Sequence, residues 1–361
     1  MRQEGHLQVF DLILETRSPV FIGVGKSYTK KEYLFDPRNN IVSFLDERLF
    51  FAYLAEHNLA DAYEGYILQG TSRNLRDFLL NVCRVPQAEI NRWTRCRINA
   101  GDALDDLHTL KEIQRFIRNG NDQIYVPGSS IKGALRTVLL KAMLLQTPPK
   151  NPDGNLPFDR YGSFEETYFH TLSLKRDRNQ IVQTGNPLNS ILQGVRISDS
   201  LPVPDSALCL TRKIDEFLDD HYNQINICRE CIKPGTAIRC TITLDQSVLQ
   251  GKITKESIED AIAAVSAYYQ ETVTSRYPHG SNYMNSRTIL LGGGVGFQSK
   301  TVTDAYYGTD ALEITSKVLD KAFRKHNHWK DPSIGISPRA LKETDFNDAA
   351  YPYGVCEVFI R

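Results

Sequence analysis

The sequence predicts an α+β fold of the ferredoxin-like type, in a chain of 361 residues that is long enough for two domains. Three observations carry this expectation. The C-terminal part reads as strand, helix, strand and closing strand, over 236–245, 254–276, 287–291 and 353–360. Its helix places Ile258, Ala261, Ile262, Val265 and Tyr269 at helical spacing. Upstream, a short strand over 123–126 runs into the turn Val126-Pro127-Gly128 and then into a second amphipathic helix. There Ile131, Leu135, Val138, Leu139, Ala142 and Leu145 share one face. Between these parts, the Pro- and Asn-rich stretch 147–157 excludes regular structure. It separates an N-terminal domain, 1–150, from a linking and insertion segment, 151–235, and a C-terminal domain, 236–361.

The remaining elements follow in order. Leu7, Val9, Leu12 and Leu14 alternate loosely and predict a first strand over 7–15. The turn Ser18 to Gly25 exposes backbone at Gly23 and Gly25. Lys26, Lys30 and Lys31 follow, interleaved with Tyr28 and Tyr33. Asp36-Pro37-Arg38-Asn39-Asn40 predicts a hairpin, and helices are expected near 46–60, 72–82 and 104–118. Arg92, Arg95 and Arg97 surround Trp93. Gly194 to Ser200 reads as a strand ending in a polar turn.

Composition narrows the function classes. With 41% hydrophobic and 24% charged residues the chain is of the globular type, and no apolar run approaches the roughly 20 residues of a membrane span. Met1 to Phe10 has no signal-peptide character. The formal net charge is zero, so nucleic-acid binding requires a local basic groove. Seven cysteines, an odd number, suggest reduced thiols and a cytoplasmic setting. Cys228, Cys231 and Cys240 are a candidate zinc cluster whose fourth ligand would be Cys209, Cys96 or His221. Cys240 also fits an alternating strand as a small core residue.

The stretch Gly128-Ser129-Ser130-Ile131-Lys132-Gly133-Ala134-Leu135-Arg136 carries the chemistry. Ser129 or Ser130 is placed to cap the helix. Lys132 lies in the first turn, where the helix dipole disfavours a cation by roughly 0.3–1 kcal/mol. Arg136, four residues on, repels it. A phosphate at the helix start would reverse both penalties, because free N–H groups point there; a solvated basic face is the bland alternative. A second loop, Gly292-Gly293-Gly294-Val295-Gly296, leads to Ser299 and Lys300. Neither loop is a nucleotide fingerprint. Ser299 precedes Lys300 where a Walker loop needs the reverse, and Phe297 stands where a dinucleotide loop needs its last glycine. Two glycine loops with cations suit a polyanion lying along exposed backbone.

Taken together, these residues resemble the RAMP superfamily of CRISPR-associated proteins, whose Pro-Gly-Ser-Ser-Ile-Lys-Gly-Ala-Leu-Arg signature the central stretch matches almost letter for letter. Ser18 to Gly25, Arg196-Ile197-Ser198-Asp199-Ser200 and Leu291 to Thr301 are similar to the fifth-subunit family of type III-A (Csm) effector complexes. The resemblance spans about 5–301 and implies two ferredoxin-like, RRM-related domains. It also implies a non-catalytic subunit that binds the 3′ side of the guide RNA (crRNA), caps it and contributes to its maturation in antiviral defence. Implied partners are the repeated backbone subunit, the helical small subunit and host nucleases. Implied RNA-binding positions are Gly128, Ser129, Ser130, Lys132, Arg136, Gly292, Gly293, Gly294, Gly296 and Lys300, with Gly23, Gly25 and Arg196; Asp199 also matches. The stacking aromatics of an RRM sheet are missing from this sequence, so binding is expected at glycine loops. No motif is recognised in the segment 302–352.

Catalysis is the alternative. Asp102, Asp105 and Asp106 precede a predicted helix, where acids are favoured by the dipole and read as structural. His57 resembles the helix histidine that guide-processing endoribonucleases of the superfamily use as general base. No second catalytic group accompanies it at a telling spacing. No cofactor is implied.

Overall fold

Alternation along β2 (Leu7–Thr16) decides the first sheet in the computed structural model, which describes residues 2–68, 74–104, 111–149, 166–175, 182–219, 221–278 and 283–361. Leu12, Leu14 and Thr16 are buried, whereas Asp11 and Glu15 are exposed, so β2 offers one apolar face. β2 is central. β15 (Val355–Ile360) pairs with it antiparallel on one side and β11 (Ala237–Asp245) on the other. β12 (Thr288–Leu290) extends the sheet beyond β15, and β8 (Val195–Ile197) extends it beyond β11. The short β1 (Arg2–Glu4) folds back on β2.

Two long helices share a core with this sheet. α4 (Gly128–Gln146) buries Ile131, Leu135, Val138, Leu139 and Ala142 as expected. Leu145 is half-buried and Lys141 is buried instead. α5 (Lys255–Thr272) opens on a reciprocal cap: the Ser257 N–H donates to Thr254 Oγ1 at 3.2 Å, and the Thr254 N–H donates to Ser257 Oγ at 2.8 Å. α4 and α5 pack on each other. The chain order is therefore β2, α4, β8, β11, α5, β15, and the spatial order is β15-β2-β11-β8. Segments 1–150 and 236–361 share this sheet, because the first strand of one is zipped between two strands of the other.

The second sheet runs β14 (Ala349–Pro352), β13 (Ala340–Phe346), β9 (Leu208–Phe217), β10 (Tyr222–Ile232), β7 (Ile113–Phe116), β3 (Gly23–Tyr28). All its pairs are antiparallel except β7 with β10. It corrects three expectations. The segment 151–235 contributes a long hairpin, β9 with β10, rather than only linkage. Within 104–118, residues 113–116 form a strand rather than a helix, because β10 and β3 flank them with open edges; 105–110 lie outside the described residues. Ile124 makes single bridges to Arg118 and Val203 in place of a strand over 123–126. Of the boundary stretch 147–157, 150–157 lie outside the described residues.

A helical insertion follows the expected hairpin. β4 (Tyr33–Asp36), β5 (Ile41–Leu45) and β6 (Thr94–Asn99) form a small sheet. Its turn is tied by the Asp36 carboxylate, which accepts from the Arg38 N–H and from Asn39. α1 (Glu47–Glu56), α2 (Ala60–Leu68) and α3 (Gln87–Trp93) enclose a separate core of Phe50, Leu54, Tyr66, Phe78 and Trp93. The arginines flanking Trp93 are engaged locally: Arg92 with Glu89, Arg95 with Asp122 and Tyr28, and Arg97 with Asn91. The segment 302–352 forms α6 (Ala311–Ala322), short turns, β13 and β14.

Candidate nucleic-acid interface

The motif helix starts at Gly128, with Pro127 in the capping position. Ser129 and Ser130 lie inside the first turn, too late to cap it. The cap comes instead from 71 residues away, where the Asp199 carboxylate accepts the Gly128 N–H at 2.8 Å. The anion expected at this helix start is thus supplied partly by the protein itself. A Cβ on Gly128 would lie 2.3 Å from the Ile197 carbonyl oxygen, so only glycine lets β8 pass this close. The Val126 N–H donates to Ser200 Oγ, and Val126 in turn accepts the Ser200 N–H, both at 2.9 Å. The stretch Arg196 to Ser200 and the central motif therefore make one structure.

Lys132 is half-buried and donates to the Leu192 carbonyl at 2.8 Å. Burial, and then the Arg196 charge, lower its pKa. Arg196 pairs with Asp245 at 2.8 Å. Arg136 is exposed. Lys132 thus serves the fold first, and Arg136 is the solvent-facing cation of the pair.

The late glycine loop is built on the N-terminal turn. The Gly293 N–H donates to the Phe21 carbonyl, and a Cβ on Gly292 would lie 2.2 Å from that same oxygen. Gly292, Gly294 and Gly296 have φ near +90°, where other residues are strained. Phe21 also packs on Gly23, so the two glycine segments meet through one ring. On the far side of Phe21, residues Gly23 to Lys26 expose the outermost strand of the second sheet; Gly25 has φ +74° and open space around it.

Sequence reasoning missed what lies beneath this loop. The Arg229 guanidinium sits between the Phe21 and Tyr353 rings, 4.8 and 5.1 Å from their centroids. A Cβ on Gly294 would lie 2.5 Å from Arg229 Nη1, and this buried nitrogen has no hydrogen-bond partner. Burial, and then the Arg229 charge, lower the Lys300 ammonium. Lys213 is lowered by burial, then by Lys342 and Arg229, against the opposing pull of Asp215. The signal was present as Arg229-Glu230 inside an otherwise apolar strand end, but the flanking cysteines drew the zinc reading.

The two candidate places stand apart. β8 and β12 lie at opposite edges of the first sheet, four strand spacings or about 19 Å from each other. α4 crosses between them: Gly128 seats on β8, and Lys141, about 20 Å further along the axis, donates to the Gln298 carbonyl at 2.9 Å and pairs with Asp304 at 2.8 Å. Such a separation suits an extended polyanion rather than one phosphate.

The other candidates are not assembled. Cys228, Cys231 and Cys240 bond separately, to the Ala103 carbonyl, to Thr211 and to the Leu12 carbonyl. Strand alternation sends Cys228 and Cys231 to opposite faces of β10, and Cys240 belongs to the other sheet. Burial pushes the Cys231 and Cys240 thiols up to about 12. Among the described residues no three metal-ligating side chains converge. His57 is exposed beyond α1, stacked on Tyr53 at 3.8 Å with Nδ1 3.1 Å from the Tyr53 carbonyl. Asp102 accepts the Asp348 N–H; Asp105 and Asp106 lie outside the described residues. No helix among the described residues is long and apolar enough to cross a membrane.

The profile of the RAMP superfamily matches residues 13–329, which include both glycine loops and the motif helix. The chain belongs to the RAMP superfamily. It is similar to the CRISPR system Cms protein Csm5 of Mycobacterium tuberculosis, 28% identical over 99% of this chain and 98% of that protein. The Csm5 protein of Streptococcus thermophilus is 28% identical over 82% of this chain and 80% of its own length. Among solved structures, the crystal structure of T. onnurineus Csm5 aligns with a TM-score of 0.60 at 15% identity, covering 96% of this chain and 99% of that one. A chain of a Csm–crRNA–target RNA ternary complex of a type III-A CRISPR-Cas system aligns with a TM-score of 0.55 at 20% identity, covering 97% and 100%.

Proposed function

We propose that this chain is an RNA-binding subunit of a type III-A CRISPR effector complex, that it caps the 3′ side of the guide RNA, and that it contributes to maturation of that end. The observation that carries the reading is the set of cations around the late glycine loop. Lys213 is half-buried and Lys300 lies exposed beside the loop; burial first, and then neighbouring cations that include Arg229, lower both ammonium groups, and an RNA phosphate is the group that relieves such crowding. The near-complete alignment with Csm5 proteins supports the subunit assignment. The repeated backbone subunit and the helical small subunit are the proposed neighbours, and host nucleases the proposed trimming partners.

The reading includes two ferredoxin-like, RRM-related halves. The first sheet supports one of them, since β–α–β–β–α–β connectivity in this strand order is the ferredoxin-like arrangement. Its open face argues for loop-based binding. The central strands present Asp11, Ile13 and Glu15 with Arg239, Thr241 and Thr243, so they offer no ring and two carboxylates repel phosphate; beside them on this face the Phe359 ring of β15 is already met by Arg287 and Arg361, 5.5 and 5.6 Å from its centroid.

The test titrates labelled guide RNA against full-length protein over a range of salt. Lys213→Ala combined with Lys300→Ala should weaken binding about tenfold and lower the salt slope by about 1.4, the share of two phosphates on a single strand. An unchanged slope sinks the RNA role of this loop. For the capping role, guide 3′ ends are mapped in complexes assembled with and without the subunit. Identical ends in both would remove maturation from the assignment.

A further inference from the structure

The turn that follows α6 presents two large rings to solvent among cations. Phe323 is 53% and Trp329 63% exposed. Lys321, Arg324, Lys325, His326 and Lys330 are exposed within the same ten residues. The Lys330 ammonium lies 5.2 Å from the Trp329 ring centroid, and the His326 ring meets Phe323 edge-on at 6.0 Å.

The backbone below is firmly held. His328 is buried, with Nδ1 2.8 Å from Asp331 Oδ2, and its carbonyl accepts from Ser316 Oγ at 2.7 Å. Ser337 Oγ donates to the same Asp331 oxygen at 2.8 Å. Arg339 donates to the His326 carbonyl, and the Asp320 carboxylate accepts the Trp329 N–H. Asp320 and Asp331 are thereby engaged in holding the turn, while Phe323 and Trp329 stay exposed above it. Through Gln298, whose amide donates to the Ser337 and Pro338 carbonyls at 3.2 Å, the turn is fixed to the late glycine loop.

We propose that this turn is a stacking platform for single-stranded nucleic acid: Trp329 and Phe323 each take a base, and Arg324, Lys325 and Lys330 take the adjoining phosphates. Every base has a π-face, so such a platform binds without reading sequence. Charge selects the occupant, because a surface this rich in cations and poor in free acids complements a polyanion. Rings set singly among charges differ from the continuous apolar face with which an amphipathic helix enters a membrane. The platform stands on its own residues and does not depend on the glycine-loop assignment.

The test uses the full chain with fluorescein-labelled oligouridine of about 12 nucleotides, a length within the range one such binding site covers. Of the two tryptophans, Trp93 is buried, so quenching of intrinsic emission on binding reports Trp329. Phe323→Ala with Trp329→Ala should lose about tenfold or more in affinity, whereas Trp329→Phe should retain most of it. Lys213→Ala with Lys300→Ala, which weakens overall RNA affinity, should still show full Trp329 quenching at saturating oligouridine, which separates failure of the platform from failure of the glycine-loop reading. The platform is overturned if the double aromatic variant binds oligouridine as tightly as the parent protein. It is equally overturned if that variant keeps RNA affinity and instead loses binding to phosphatidylserine vesicles.

Discussion

Two glycines five residues apart in the same motif have opposite tasks. Gly128 has the Ile197 carbonyl where a Cβ would go, whereas Gly133 is exposed in the helix with nothing within 4 Å. Gly133→Ala should therefore stabilise the protein by about 0.5–1 kcal/mol in urea unfolding. Gly128→Ala should destabilise it by more than about 2 kcal/mol, because the clash is with backbone rather than with a side chain that could swing away. Equal effects at the two sites would contradict the seating of α4 on β8. The sequence made the charge anomaly at this helix start legible but not its answer. Periodicity is local, whereas Asp199 and the Leu192 carbonyl reach Gly128 and Lys132 from a distant segment.

At the seam between β9 and β13, two carboxylates are buried side by side. Glu216 and Glu343 are 0% and 1% exposed on neighbouring strands. Burial, and then the charge of Glu216, raise the Glu343 carboxyl to about 9. The folded state thus holds a proton that the unfolded chain releases near its ordinary value of 4.5. Stability is present in full below that value and is lost as pH rises toward 9, with a slope of at most about 1.4 kcal/mol per pH unit. Glu343→Gln should flatten this decline and stabilise the protein at pH 8, as read by thermal unfolding across pH. A parallel decline in the variant would dismiss the pair as its source. The same seam explains why β9 escaped the sequence reading. Arg212, Lys213, Asp215 and Glu216 resemble a solvated loop until β13 brings Asp345 and Lys342 to Arg212 and Asp215. β2, α4, α5, β11 and β15 were legible because each repeats its own period, and β7 was not, because only its neighbours make it a strand.

For the whole molecule, the pairing of β2 with β11 and β15 outweighs any division along the chain. Residues 1–150 expressed alone should lack a cooperative unfolding transition and gain one when residues 151–361 are supplied in trans. A cooperative transition from 1–150 alone would show that β2 does not need its late partners. The pairing also sets a timetable. In synthesis β15 follows β2 by some 340 residues, an interval of roughly 20–70 s at ordinary translation rates. Throughout that time one edge of β2 is open to wrong pairing, and the other is open until β11 is made; α4, already made, has no closed sheet to lie on. A nascent chain interrupted before residue 355 therefore has no finished sheet on which the motif helix can lie.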